Sequence, residues 1–504
     1  MTTLLEPPTP AAAPGPAPID VHVEETPLPD HEPLDLYTAL CERFGSEDVY
    51  VLESPAGPLQ DRSSAVVGYG RLAEIEVHAS HLLIRGCDGL SRALLGVADR
   101  MGMPALGPGA RGLTRPGLLW EFLGAAQRLF TVHTRVPAAG FAFGFLATVG
   151  YGAAWHMEEL PERPADTGGP DCVLTLFRDT VHYDLAAHEV RHLRAHAAEF
   201  PPPAAYDLTA AALRPPSGDA VPEAPEPRRV SDSTDKETFL ARVGRCLRHI
   251  GVGDVYQIQI GHSIEVVTDL DPLQVYRRLR ARNPSPYMYL VPRSGTTLIG
   301  ASPEMLYADD GERIVMRPIA GTAPRSGDRE TDERRIAALR ADEKERAEHT
   351  MLVDLCRNDI GRVCREQTLE TEGLMTVETY SHVFHLVSTV SGRLDRTHDT
   401  WSVLRASFPA GTVTGAPKIR AMELIQDLED QPRGMYAGAV GLVDLRGWSR
   451  FALCIRTVVH DGTTYRTQSC AGIVADSSPE AEWHETLHKM GAAHWALTGK
   501  ELLP

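Results

Sequence analysis

The chain has 504 residues, 43% of them hydrophobic, and a formal net charge of −18, so it can bury a large core as roughly two or three domains or as one intertwined unit. The acidic balance argues against nucleic acid as a partner, because phosphate binding requires a basic face. No run of about 18 apolar residues occurs, so no membrane span is expected, and the opening MTTLLEPPTPAAAPGPAP lacks the basic start and apolar core of a secretory signal.

Taken in order, residues 1–33 are rich in Pro, Ala and acidic side chains and predict a disordered tail. Residues 34–198 read as an N-terminal domain. Short apolar runs predict strands at Val49–Glu53, Ala65–Tyr69, His81–Arg85 and Val173–Arg178, with helices at Pro33–Phe44 and Pro116–Leu129. Residues 199–230 are a loose linker of Pro, Ala and charge. From Ser231 to Pro504 the texture changes. Helical periodicity marks Thr234–Gly251, Asp332–Arg362 and Glu480–Leu497. Alternation marks strands at Asp254–Ile260, Tyr436–Val443, Ser449–Val459 and Thr464–Val474. The mixture predicts an α+β protein with extensive antiparallel sheet, its chemistry in the second half. The eight cysteines are scattered without a CxxC pair, which predicts a reducing, cytoplasmic setting without disulfides or a zinc site.

The densest signal is Gly411-Thr412-Val413-Thr414-Gly415-Ala416-Pro417-Lys418, which runs into an amphipathic stretch. Glycines admit a ligand close to the backbone, and hydroxyls with amide N–H groups hold oxyanions at a helix start. Lys418 follows a proline and precedes Ile419, so this is no Walker A loop. Glu345 and Glu348 share one helix face, and Glu482 and Glu485 repeat that spacing. Two carboxylate pairs suit a hard cation such as magnesium, although a single pair is usually a solvated helix face, and spacing alone does not bring two helices together.

Further segments occur in the same half: Gly300-Ala301-Ser302-Pro303-Glu304, Arg317-Pro318-Ile319-Ala320-Gly321-Thr322, Tyr380-Ser381-His382-Val383-Phe384-His385-Leu386, Ile455-Arg456-Thr457 and Ala471-Gly472-Ile473-Val474-Ala475-Asp476-Ser477. With the Gly411 stretch and the glutamate pairs, this ordered set resembles the chorismate-utilising enzymes, and most nearly the large subunit of anthranilate synthase. The likeness is dense over residues 231–500 and looser over 34–198.

The resemblance implies two large, mostly antiparallel sheets packed as a sandwich with helices outside. It also implies magnesium, and chorismate losing its 4-hydroxyl as a nucleophile enters at C2. Glu348 and Glu485 match magnesium carboxylates, with Glu345 and Glu482 beside them. Glu304 matches the general acid for the departing hydroxyl, and His385 the group placed for pyruvate elimination. Thr412, Gly415 and Lys489 match substrate-positioning groups, Tyr436 and Arg456 the grip on the enolpyruvyl carboxylate. Ala320, Gly321, Thr322, Ala471 and Gly472 belong to the matching substrate-binding segments. Water-using members carry lysine on the strand near the nucleophile, whereas Gln257 here resembles the ammonia-using pattern, and Ala320 fits direct ammonia addition. No glutaminase segment is visible, so a separate glutamine amidotransferase subunit is expected. Val51-Leu52-Glu53-Ser54 and Asn283-Pro284-Ser285-Pro286-Tyr287-Met288 resemble the two halves of a tryptophan feedback site, which makes the N-terminal domain of regulatory type.

Cys470 departs from the pattern, which has glycine there, and a side chain at that point would crowd the pyruvate-side pocket. The expectation is a cytoplasmic lyase of anthranilate synthase type, tryptophan-inhibited and serving tryptophan biosynthesis. The alternative is a 2-amino-2-deoxyisochorismate or aminodeoxychorismate synthase component I of specialised metabolism, with the enolpyruvyl group retained.

Overall fold

The computed structural model describes residues 18–58, 64–161, 163, 169–215, 218, 220–380 and 383–503. Two long strands, Ser64–Val77 and Cys172–Asp184, pair along their length and form the corner of the molecule, with an irregularity between Arg71 and Ala73. The first half of Cys172–Asp184 pairs with Gly144–Val149, and the second half with Glu189–His196. Two antiparallel ladders therefore diverge from one shared pair, as when a bulge lets strands pass from one sheet to another.

One ladder runs from Gly144–Val149 through Ala439–Asp444, Ser449–Leu453, Met305–Asp309 and Arg313–Met316 to Val383–Arg393, which also pairs with Ile319–Pro324. The other runs from Val49–Glu53 through Tyr287–Arg293, Thr296–Ser302, Thr457–His460 and Tyr465–Ile473 to Gln257–Val267. Helices Glu343–Gly361 and Pro479–Thr498 pack against the far members of the two ladders. The fold is α+β with mostly antiparallel sheet, and no helix among the described residues is long and apolar enough to cross a membrane.

The tail and linker need correction. Residues 1–17 of the expected tail lie outside the described residues, but Ile19–Leu28 is a strand, antiparallel to Glu189–His196 and parallel to Phe130–His133. Its Ile19, Val21 and Val23 are buried in alternation, a period-of-two signal that the proline-rich composition around it conceals. Within the linker, Leu208–Ala212 is a short helix capped by the Asp207 side chain, and Leu208 and Ala211 join the core around helix Pro33–Phe44. The chain halves also share both ladders, since Val49–Glu53 pairs with Tyr287–Arg293 and Gly144–Val149 with Ala439–Asp444.

Two elements break where continuity was expected. The helix over 332–362 is two helices, Arg329–Ala341 and Glu343–Gly361, because Asp342 leaves the helical region and its carboxylate accepts from the N–H groups of Lys344 and Glu345, at 2.9 and 3.1 Å. The strand over 449–459 stops at Leu453 and restarts at Thr457. Arg456 between them has φ +52°, a left-handed conformation unusual for a side-chain-bearing residue.

Candidate active site

Both interruptions serve one cavity of about 770 Å³ between the far ends of the ladders. The Asp342 cap starts a helix that carries Glu345 and Glu348 to its wall, and the left-handed turn places Arg456 there. Helix Pro479–Thr498 contributes Glu482, Glu485 and Lys489, strand Gln257–Val267 contributes Gln257, and the Gly411–Val413 turn contributes Thr412. Glu304, Ala320, Gly321, Thr322, His385, Tyr436 and Gly472 line the same space. Of the expected site residues, Ala471 and Gly415 are not on the wall. Ala471 faces the core beneath the strand, and Gly415 pairs with Ile258 at φ +138°, a conformation that only glycine adopts readily. Ser381 and His382 of the His385 segment lie outside the described residues.

Glu304 accepts a hydrogen bond from Thr412 Oγ1 at 3.0 Å. Burial pushes its carboxyl to about 7, against the Thr412 hydrogen bond and the Lys489 charge, which pull it down. A carboxyl still half protonated near neutrality suits a proton donor. Burial also lowers His385 to about 4, helped by the charge of Arg456. Its Nδ1 stands 3.1 Å from the Gly321 carbonyl and 3.1 Å from Thr322 Oγ1. Donation from Nδ1 to that carbonyl leaves Nε2 with a lone pair.

The amide of Gln257 donates through Nε2 to Glu348 Oε1 at 3.0 Å, while its own Oε1 is buried without a protein partner among the described residues. The Glu345, Glu348 and Glu482 carboxyls are all raised, first by burial and then by neighbouring carboxylates. Glu482 Oε2 is buried without a partner among the described residues, and Glu485 pairs with Lys489 at 2.5 Å. No three acidic, histidine or cysteine side chains among the described residues stand close enough to hold a metal ion as they are. The repelling, partly orphaned carboxylates on one wall nonetheless fit a hard cation that takes one or two of them and keeps its waters.

Some residues have other work. Lys418 donates from Nζ to the buried Asp359 at 2.8 Å, tying the glycine-rich loop to helix Glu343–Gly361 rather than facing a ligand. Arg456 Nη1 donates to the Lys489 carbonyl at 2.7 Å, which joins the left-handed turn to the carboxylate helix. Cys470 is buried beside Tyr436, its Sγ 3.9 Å from Glu429, and burial raises its thiol to about 12. It is a neutral side chain filling the Tyr436 end of the cavity.

The expected inhibitor residues separate. Leu52, Glu53, Ser54, Tyr287 and Met288 line a second cavity of about 440 Å³, whereas Asn283 lines a different hollow, and Pro284 and Ser285 line neither. Glu53 does not wait for an amino group: Arg280 donates to it twice, at 2.7 and 3.1 Å, and the Tyr276 hydroxyl at 2.5 Å. Arg280→Ala would leave this buried carboxylate with Tyr276 as its main partner, and an expected loss of about 3–5 kcal/mol would show as an earlier urea unfolding midpoint.

Residues not singled out in the sequence also reach the main cavity, chiefly Gln259, Ser469, Lys344, His484 and His488. Gln259 lies two positions after Gln257 on strand Gln257–Val267, hence on the same face, a signal present in the sequence.

A paired acid and hydroxyl, a neutral histidine and four convergent carboxylates around a cleft define the active site of an enzyme. The chain belongs to the chorismate binding enzyme family, whose pattern it matches over residues 116–494. It is 46% identical over 97% of its length to a 2-amino-4-deoxychorismate synthase of Streptomyces globisporus, covering 98% of that protein. It is 44% identical to anthranilate synthase component 1 of Streptomyces coelicolor, over 73% of this chain and 76% of that one. Among solved structures, anthranilate synthase component I of Streptococcus pneumoniae superposes with a TM-score of 0.69 at 29% identity, covering 86% of this chain and 92% of that one.

Proposed function

We propose that the protein aminates chorismate at C2 with ammonia and releases 2-amino-4-deoxychorismate with its enolpyruvyl side chain in place. The observation that carries this reading is the end-to-end likeness to the Streptomyces globisporus enzyme of that name. Cys470, wedged beside Tyr436 where the enolpyruvyl group is expected, agrees with it.

In this reading Arg456 and Tyr436 hold the enolpyruvyl carboxylate, an arginine fork pairing both oxygens. Nitrogen enters at C2 from the Gln257 side. The ring double bonds shift, the C4–oxygen bond breaks, and Glu304 protonates the departing hydroxyl so that it leaves as water. Glu348 and Glu485, with Glu345 and Glu482 beside them, would hold magnesium, which when bound supplies positive charge for the ring carboxylate. Free ammonia is scarce near pH 7, so a separate glutamine amidotransferase is the expected source. Feedback by tryptophan finds less support, because Arg280 already takes the carboxylate that would receive its ammonium group.

One observation favours a second reading, anthranilate synthase. His385 lines the cavity, and its Nε2 has no hydrogen-bond partner among the described residues. Removal of the C2 proton there, with departure of pyruvate from C3, would give anthranilate. Incubation of the full-length chain with chorismate, magnesium and ammonium at mildly alkaline pH separates the two. The expected product keeps the mass of the enolpyruvyl group, with neither anthranilate fluorescence nor pyruvate. Anthranilate and pyruvate in equal amounts would replace the first reading with the second.

A further inference from the structure

We propose that Gln259 is a second working amide of this site, which with Gln257 holds the attacking nitrogen and then the new C2 amine. The inference rests on the amination reading above and adds a residue to it. Gln257 and Gln259 stand on one face of strand Gln257–Val267 and line the same cavity. Gly472 lies opposite Gln259 in the neighbouring strand. A Cβ on Gly472 would meet Gln259 Nε2 at 2.8 Å and Gln257 Nε2 at 2.9 Å. Both amides therefore fold over one glycine.

The backbone of Gln259 is fixed from both sides. Its N–H donates to the Thr414 carbonyl at 2.9 Å, and its carbonyl accepts from Arg433 Nη2 at 2.8 Å. The residue is only 8% exposed, yet its side-chain amide makes no hydrogen bond to protein among the described residues. Its amide therefore opens on the cavity with donors and acceptor unused, available to a ligand or water there. Beside it, Gln257 donates one N–H to Glu348, and its carbonyl oxygen is buried without a partner among the described residues.

Ammonia matches this pair. It brings three N–H donors and one lone pair. The Gln259 amide oxygen, on the wall of the cavity, accepts one of the N–H groups and leaves the lone pair free to face a ring carbon. Neutral amides add no charge that would favour ammonium, the unreactive form, over ammonia. In the step itself the C2–N bond forms as the C4–O bond breaks. The hydroxyl leaves as water with the Glu304 proton, and a proton lost from the nitrogen makes good the one that Glu304 gives up.

The test uses the full-length protein with chorismate, magnesium and ammonium chloride. Gln259→Met keeps the side-chain length and removes the hydrogen bonds. It should raise the ammonium KM about tenfold while leaving the chorismate KM and the melting temperature unchanged. Gln259→Asn keeps an amide but withdraws it by one carbon. It should give a smaller rise of the same kind and carries the test should the methionine variant fail to fold. An ammonium KM within twofold of the parent in a folded variant overturns the assignment, as does a matching rise in the chorismate KM. If the parent chain itself yields no aminated product, the amination reading falls and this inference with it. If the parent aminates and the variants keep its ammonium KM, only the role of Gln259 falls.

Discussion

Glu304→Gln is expected to lower kcat for amination by about 10²–10⁴. The substitution keeps the volume and still accepts the Thr412 hydrogen bond, so the fold and the chorismate KM should change little. In the proposed reaction it removes the proton that the leaving hydroxyl takes. The parent enzyme carries this proton below about pH 7 and loses it above, because burial holds the carboxyl there. At constant free ammonia, kcat should therefore fall as the pH rises through 7, and the glutamine variant should lack that limb. Thr412→Val should move the limb to higher pH, since the Thr412 hydroxyl stabilises the ionised form. A glutamine variant that aminates within tenfold of the parent would remove Glu304 from the role of acid.

The second large effect is at Gln257. Lysine there should depress amination by at least about 10²-fold, the scale of loss when a reactant is no longer held in line. The side chain is 1% exposed, and its nitrogen already touches Glu348, so a lysine would pair with that carboxylate. The neutral amide would be gone, replaced by a cation beside the carboxylates expected to hold the metal. A basic amine at this point also resembles the water-activating lysine of the hydroxylating relatives, so a trace of C2-hydroxylated product is the expected side activity. Mass analysis of products reads both. Unchanged amination by a folded Gln257→Lys protein would mean that nitrogen enters from elsewhere.

How much of this was legible in the sequence follows from what each signal encodes. Helix Pro33–Phe44 was bounded correctly because a proline start and a glycine stop are local signals. The site was legible as a set of short segments, and Glu348 and Glu485 do line one cavity, although they are 137 positions apart in the chain. What was hidden depends on neighbours. Asp342 reads as one more polar residue of a helix until its carboxylate is seen capping the next one. Arg456 breaks a strand that alternation extends through it. Glu53 looks free until Arg280 folds onto it from another element. Gln259 shows only through the alternation of its strand, because Gln257 alone has a counterpart in the family's pattern.

The shared ladders carry a consequence for recombining this enzyme with its relatives. The proline-rich stretch at 199–230 invites a cut, as though the pieces on either side were modules. Yet Leu52 is in register with Tyr289, and Ala147 with Gly441. A chimera joined at 199–230 would set foreign strands side by side at both places. Any single junction between residues 53 and 439 separates at least one of these strand pairs, so a crossover that keeps each strand with its own neighbour has to fall outside that span.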